Sequence, residues 1–460
     1  MLSLEKYLFY LLVFSLPFQT RLILFQWGSS SSFGTSGGFN EYQAAFFYFT
    51  DFLIALIFIS CLWRAIRTGS FGWRSIFASH SDFLLAAFVI IAGVSLYWAN
   101  NFGLGIYQFL KLVEFVWLFF YVKNNFAVLN LSHALWFLFS SAVFQALLAD
   151  WQWHNQSSIG LKLLGESVLD PNLAGVAKLD IPNAKLIRPY GTFPHPNILA
   201  AFLSAAIFIF YWFYLSNKKP YGRIQISEWL KFLAFFILLL GLFLTFSRLI
   251  IITFILAGVI FFWLSKRLGK DDLIFKQRRQ VLLYLSAIFT FIFLFLMRPE
   301  MFGRFGQLSL AEQSVSLRWL YNEIAALMIA NNPLTGVGFG NFTNRMAEFL
   351  PYGTSLESWA IQPVHNIYLL IAAETGVIGL FFFLWFLISI VIKTIGSLRL
   401  NFTLERLTLL LITLAFLFIG LFDHFFLTLQ QGRLMLWIIL ALLTAASAHS
   451  TTDSTQASEA

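Results

Sequence analysis

A single cysteine, Cys61, set in an apolar run, excludes disulfides within the chain, thiolate metal sites and iron–sulfur clusters. Charge is equally scarce. Only 11% of the 460 residues are charged, against roughly 25% in soluble domains, while 59% are apolar against roughly 45–50%. No water-soluble core needs that much apolar surface. The net charge of +8 lies scattered between apolar runs and forms no basic stripe interleaved with aromatics, which argues against nucleic acid as a partner. No internal repeat and no separate soluble domain is evident. The first apolar run continues past Pro17 and Arg21 without a small-residue cleavage site, so it is expected to be an uncleaved span and not a signal peptide.

What is abundant is aromatic and aliphatic. The 57 Phe, 15 Trp and 15 Tyr suit lipid-facing helices with amphipathic rings at the headgroup level. A helix crossing the hydrocarbon needs about 20 mostly apolar residues. About twelve such runs occur, near 7–26, 44–63, 82–99, 104–122, 131–149, 197–216, 231–246, 249–265, 281–297, 366–392, 407–427 and 433–448. The expected fold class is all-α, a polytopic membrane helical bundle with about twelve transmembrane helices and a helical outer loop between the ninth and tenth. Residues 1–448 make one multi-pass domain, and the Ser/Thr-rich stretch 449–460 is expected to be a disordered cytoplasmic tail.

Orientation follows from the cations, because short cytoplasmic loops are enriched in Lys and Arg. With both termini inside, one face receives Arg64, Arg67 and Arg74, then Lys218, Lys219 and Arg223, then Lys266, Arg267, Lys270, Lys276, Arg278 and Arg279, then Lys393, Arg399 and Arg406. The outer face receives the Gly/Ser-rich loop from Gly28 to Asn40 and the longer segments 150–196 and 298–364, where function is expected.

Four cationic or basic residues stand out on that outer face. Arg188 opens the run Arg188-Pro189-Tyr190-Gly191-Thr192-Phe193-Pro194-His195-Pro196-Asn197, a rigid turn into the sixth span. Arg248, after Ser247, interrupts a long apolar stretch and forces a short outer turn there, although an arginine in such a place can also simply snorkel to the headgroups. Arg318 lies on an expected outer helix from about Leu310 to Ala330, signalled by Ser309 and Glu312 at capping-box spacing and by Pro333 beyond it. On that helix Val315, Trp319, Ile324 and Met328 are expected against bundle or bilayer, with Arg318 and Asn322 on a polar stripe. His365 comes directly before the tenth span. The backbone N–H groups there disfavour an imidazolium, so His365 is expected to be neutral and able to take a proton.

Guanidinium forks match phosphate oxygens, and a neutral histidine can accept a proton from an attacking hydroxyl. Together they describe displacement of a phosphorylated leaving group by an alcohol. No Asp/Glu/His grouping with metal-ligand spacing is visible in the outer loops, so no metal or cofactor is expected. Gly336-Val337-Gly338-Phe339-Gly340 lacks the Lys-Ser/Thr end of a phosphate loop and reads as a tight backbone passage. Glu374, about 13 Å along the tenth span from His365 at 1.5 Å per residue, is expected either to hold a neighbouring helix through a hydrogen bond or to be protonated. Lys111 and Glu114 at i, i+3 should neutralise one another. Asp423 and His424 lie near the outer end of the eleventh span with no pattern that assigns them.

In order and spacing, Arg188 to Asn197, Ser247-Arg248, Arg318, Pro333 to Gly338 and His365-Asn366 followed by Glu374-Thr375-Gly376 resemble the O-antigen ligase and O-antigen polymerase superfamily. The resemblance covers about 185 to 395. It implies a metal-independent glycosyltransferase of the bacterial cytoplasmic membrane that takes a glycan from undecaprenyl pyrophosphate at the outer face. It further implies that Arg248 and Arg318 bind the pyrophosphate, that Arg188 assists them, and that His365 is the base, with Ser247, His195, Asn197, Asn366 and Glu374 in supporting places. The hydroxyl acceptor is a lipid A core in ligases, a glycan in polymerases and a protein in O-oligosaccharyltransferases; the short outer loop favours the first two. The rival class is a transporter or flippase for an anion or lipid-linked glycan. Such proteins show repeats and helices broken near mid-membrane, and the sequence displays neither clearly.

Overall fold

Pro17 divides the first apolar run. Helix α1 (Leu2–Ser15) stops just before it, and the chain continues as strand β1 (Arg21–Gln26), paired antiparallel with β2 (Ala44–Tyr48). The expected span 7–26 is therefore corrected, because proline lacks the N–H and the room that a continuing helix requires. The computed structural model describes residues 2–27, 39–69, 79–181, 184–216, 227–268, 272–301, 313–351 and 356–458. Most of the Gly/Ser-rich loop from Gly28, the cations Arg74, Lys218, Lys219, Arg223 and Lys270, and the expected capping pair Ser309 and Glu312 lie outside them.

The helices that follow are α2 (Phe49–Thr68), α3 (His80–Ser95), α4 (Phe102–Asn124), α5 (Leu131–Asn155), α6 (Pro196–Leu215), α7 (Glu228–Leu244), α8 (Arg248–Leu264), α9 (Leu273–Leu296), α10 (Gln313–Asn331), α11 (Ile367–Leu400), α12 (Leu404–Ile419) and α13 (Gln430–Ser458). Among the described residues, nine helices are long and apolar enough to cross a membrane. The three other expected runs fall on α1, α7 and α12, which have 14, 17 and 16 residues. At 1.5 Å per residue these reach about 21–26 Å, less than the roughly 30 Å hydrocarbon core. The last helix runs on to Ser458, into the stretch read as a tail.

Burial sorts the bundle. The most apolar stretches of α6 and α13 are each 94% buried, so they form its centre, whereas α9, 11% buried, lies at its edge. Around that centre α3 packs on α11, α4 on α13, and α5 on α7. Lys111 on α4 meets Glu114 at 3.1 Å, as its spacing implies, and also pairs with Asp51 of α2. Gln430 of α13 joins the same carboxylate.

Helix α11 is broken at Gly376, whose φ of 70° and ψ of 178° are not helical. The segment after α10 fills the break: Val337 N–H donates to Ala373 O at 2.8 Å, Gly338 N–H to Glu374 O at 3.1 Å, and Val377 N–H to Pro333 O at 2.8 Å. Backbone groups freed inside a bundle must be satisfied in this way. Contact is close enough that a Cβ on Gly376 would sit 2.2 Å from Leu334 O, and one on Gly336 would sit 2.3 Å from the Glu374 carbonyl carbon. The glycine run is thus a tight backbone passage, while the sequence's apparent lack of a broken helix is corrected.

The ends of the bundle differ. At one, Arg64 of α2 pairs with Glu5 of α1 at 2.9 Å. At the other, loops distant in sequence lock together: Asn40 Nδ2 donates to Ser358 O and Ile361 O, each at 2.9 Å, and Asn197 Nδ2 donates to Asp423 Oδ2 at 3.1 Å. The candidate site lies at this second end.

Candidate active site

The segment from Arg188 to Asn197 is clamped by glutamines of α5. Gln152 Oε1 accepts from the N–H groups of Tyr190 and Gly191 at 2.9 and 2.8 Å, and Gln145 Oε1 accepts from Thr192 N–H at 2.8 Å. Glycine is required at 191, where φ is +59° and a Cβ would sit 2.4 Å from Gln145 Oε1. The segment delivers His195 as the N-cap of α6, its Nδ1 accepting from Asn197 N–H at 3.2 Å. Arg188 itself is 3% exposed. Its Nε donates to Thr245 O at 2.6 Å and its Nη2 to Asn197 Oδ1 at 2.9 Å, so it ties this segment to the turn before α8.

That turn is sharp because Phe246 takes a φ of 48°, rare for a bulky residue. Ser247 then starts α8 as its N-cap, its hydroxyl donating to Asn197 Oδ1 at 2.9 Å, and Arg248 follows as the first helical residue.

Helix α10 buries Tyr321, Ile324, Ala325 and Met328, an i, i+3, i+4, i+7 stripe. Trp319, expected against bundle or bilayer, is 64% exposed and points away from the bundle. The Tyr321 hydroxyl donates to Ala360 O at 2.5 Å, and its ring stacks on His365 with centroids 5.6 Å apart. Asn366 caps α11, its Oδ1 accepting from Tyr368 and Leu369 N–H at 2.9 and 3.0 Å, which fixes His365 at the helix entrance. Ile367 N–H reaches Gly420 O at 2.8 Å and so draws in the loop after α12.

That loop brings Asp423 and His424. Their companions in one cavity of about 730 Å³ include Arg318, His365, His195, Asn197, Tyr42 and Trp359. The His365 and His424 rings meet edge to face with centroids 4.7 Å apart. His424 Nδ1 is paired with Thr428 Oγ1 at 2.7 Å, whereas His365 Nδ1 is buried without a hydrogen-bond partner among the described residues. Burial pushes the His365 imidazole well below its ordinary 6.5, His424 pushes the same way, and Asp423 opposes them. Burial likewise lowers His424, to about 4, against the pull of Asp423. For Asp423 burial acts upward, but the field of His365, His424, Arg318 and His195 outweighs it and holds the carboxyl at about 2. At neutral pH the cluster is therefore two neutral imidazoles beside one carboxylate.

Of the residues singled out from sequence, Arg318, His365, His195 and Asn197 line the cavity, and Ser247 and Asn366 hold its walls. Arg248 and Arg188 are not among the lining residues. Glu374 faces a second chamber with Arg433 and accepts from Phe342 N–H at 3.2 Å, anchoring the segment after α10. Sequence reasoning left Asp423 and His424 unassigned, and Tyr42, Gln145 and Gln152 unnoticed. Glutamines i and i+7 on an apolar helix were the available signal for the last two.

His365, Asp423 and His424 each offer one ligand atom, all within 4.8 Å of one another. The fold thus assembles a metal-capable grouping from segments that show no such spacing in sequence. Ligand atoms on one tetrahedral zinc lie about 3.3 Å apart, from bonds of about 2.0 Å, so any pair here near the 4.8 Å limit would have to draw together to share an ion.

Comparison with protein families matches residues 233–384, about a third of the chain, to the family described as O-antigen ligase. This segment is similar to the O-antigen ligase family. The matched segment contains Ser247, Arg248, Arg318, His365, Asn366 and Glu374; Asn197, Asp423 and His424 reach the cavity from outside it. Comparison with curated proteins gives no match.

Proposed function

We propose that this membrane protein transfers a glycan from a polyprenyl pyrophosphate, undecaprenyl pyrophosphate in the family sense, to a hydroxyl acceptor in surface polysaccharide assembly. The observation that carries the reading is the meeting of Arg318 and His365 in one cavity, with the His365 Nδ1 unpartnered among the described residues. The acceptor O–H gives its proton to His365, and its oxygen attacks the anomeric carbon. The bond from that carbon to the pyrophosphate oxygen breaks with its electron pair on the leaving group. Arg318 offers a guanidinium fork to the departing charge. Asp423 stabilises the imidazolium formed on His365, a step that burial alone would disfavour. Direct displacement inverts the anomeric centre. Arg248 joins the pyrophosphate site by the family resemblance, and its turn is linked to the cavity through Ser247 and Asn197. The active face is outward by the distribution of cations in the sequence.

The broken helix at Gly376 is the feature that favours the rival transporter class. Its freed backbone groups are taken up by residues 333–338, which makes it an anchorage for the loop. Purified full-length protein, a lipid-pyrophosphate glycan and a lipid-core or glycan acceptor decide between the two. A new glycosidic bond detected by mass spectrometry supports transfer, and its absence with intact, folded protein defeats it.

A further inference from the structure

Asn197 holds partners from three segments at once. Its Oδ1 accepts from Arg188 Nη2 and from Ser247 Oγ, each at 2.9 Å, and its Nδ2 donates to Asp423 Oδ2 at 3.1 Å. The orientation of the amide is forced by those partners. A guanidinium can only donate and a carboxylate only accept, so the oxygen must face Arg188 and the nitrogen must face Asp423. Ser247 adjoins Arg248 in the chain, and Asp423 shares the cavity with His365 and His424. The other Asp423 oxygen is taken by His424 N–H at 2.9 Å, so both carboxylate oxygens have fixed directions. Helix α6 does not need the Asn197 side chain for its start, because His195 supplies the cap.

We infer that Asn197 is a positioning residue that holds the Ser247–Arg248 turn in register with the Asp423–His365 pair. The inference rests on the transfer reading of the cavity. Aspartate at this position would keep the acceptor side toward Arg188 and Ser247 but set a second carboxylate against Asp423. Alanine would release both sides, and Ser247→Ala would release only the turn.

The test uses full-length protein in detergent, with kcat and donor KM measured for a lipid-pyrophosphate glycan and the His365 titration followed by NMR of ring-labelled histidine. Asn197→Asp is expected to raise the His365 midpoint, because negative charge is added beside it, and to lower kcat about tenfold while donor KM stays within about twofold. Ser247→Ala is expected to raise donor KM about fivefold and leave the His365 midpoint in place. Asn197→Ala should combine both effects; if it fails to fold, the other two variants decide. A His365 midpoint that is the same in Asn197→Asp as in the unaltered protein overturns the inference, as do variants that lower only the melting temperature. If the unaltered protein forms no glycosidic bond, the transfer reading falls, and the NMR titration still decides whether Asn197 governs the Asp423–His365 pair.

Discussion

The imidazoles of His365 and His424 meet edge to face, 4.7 Å between centroids, although 58 intervening residues, including the whole of α11 and α12, separate them in the chain. Neither ring can gain a proton without affecting the other, and Asp423 beside them favours protonation of both. Proton acceptance in the cavity is thus a property of the three side chains together.

This cluster sets a pH dependence. The lowered His365 value means that the neutral base persists on acidification until well below pH 6.5, so kcat/KM is expected to be level around neutrality and to fall only in the acid range. Asp423→Asn removes the group that raises His365, so the acid limb should move to still lower pH while the maximal rate drops. A limb that moves upward would contradict the charge assignment. His365→Ala is expected to lose about 10²–10⁴-fold in rate.

Arg318 and Arg188 should part company. Arg318→Ala is expected to cost about 10²–10³-fold in transfer with an unchanged melting temperature, and Arg318→Lys should not restore it, since an ammonium lacks the planar fork. Arg188→Ala leaves Thr245 O and Asn197 Oδ1 without a buried charged donor, at about 1.5–3 kcal/mol per such bond. Its signature is a lowered melting temperature in detergent, with the KM of the folded fraction read separately.

Gly376→Ala tests the broken helix. A Cβ there meets Leu334 O at 2.2 Å in a left-handed backbone, so destabilisation should exceed the roughly 1–2 kcal/mol of the conformation alone. Thermal melting of the purified variant measures it.

The grouping of His365, Asp423 and His424 makes metal removal informative. Dialysis against a chelator is expected to leave transfer unaltered, in keeping with His365 as a proton acceptor. Stoichiometric zinc in the purified protein, with activity lost on its removal and regained on its return, would replace that role.

Much of this was legible in the chain because lipid imposes simple rules. Runs of about 20 apolar residues locate helices, and the nine full-length ones among the described residues fall where those runs lie. The first run misled, since hydropathy is blind to the break at Pro17 that turns Arg21–Gln26 into a strand. His365 and Arg318 were visible as isolated polar groups next to apolar runs, and both line the cavity. Asp423 and His424 were not, because their meaning comes from the Ile367 to Gly420 contact that no local spacing encodes. Arg188 looked like a ligand for phosphate for the same reason that it is a good tie: a guanidinium serves a carbonyl and an amide oxygen as readily as an anion.

The insertion of residues 333–338 into α11 has a mechanical consequence. Arg318 rides on the helix that leads into this insert, and His365 rides on the half-helix that receives it, so the distance between guanidinium and imidazole is gauged by a short stretch of main chain. Adding or removing one residue between Asn331 and Val337 would retune that gap while leaving both side chains untouched.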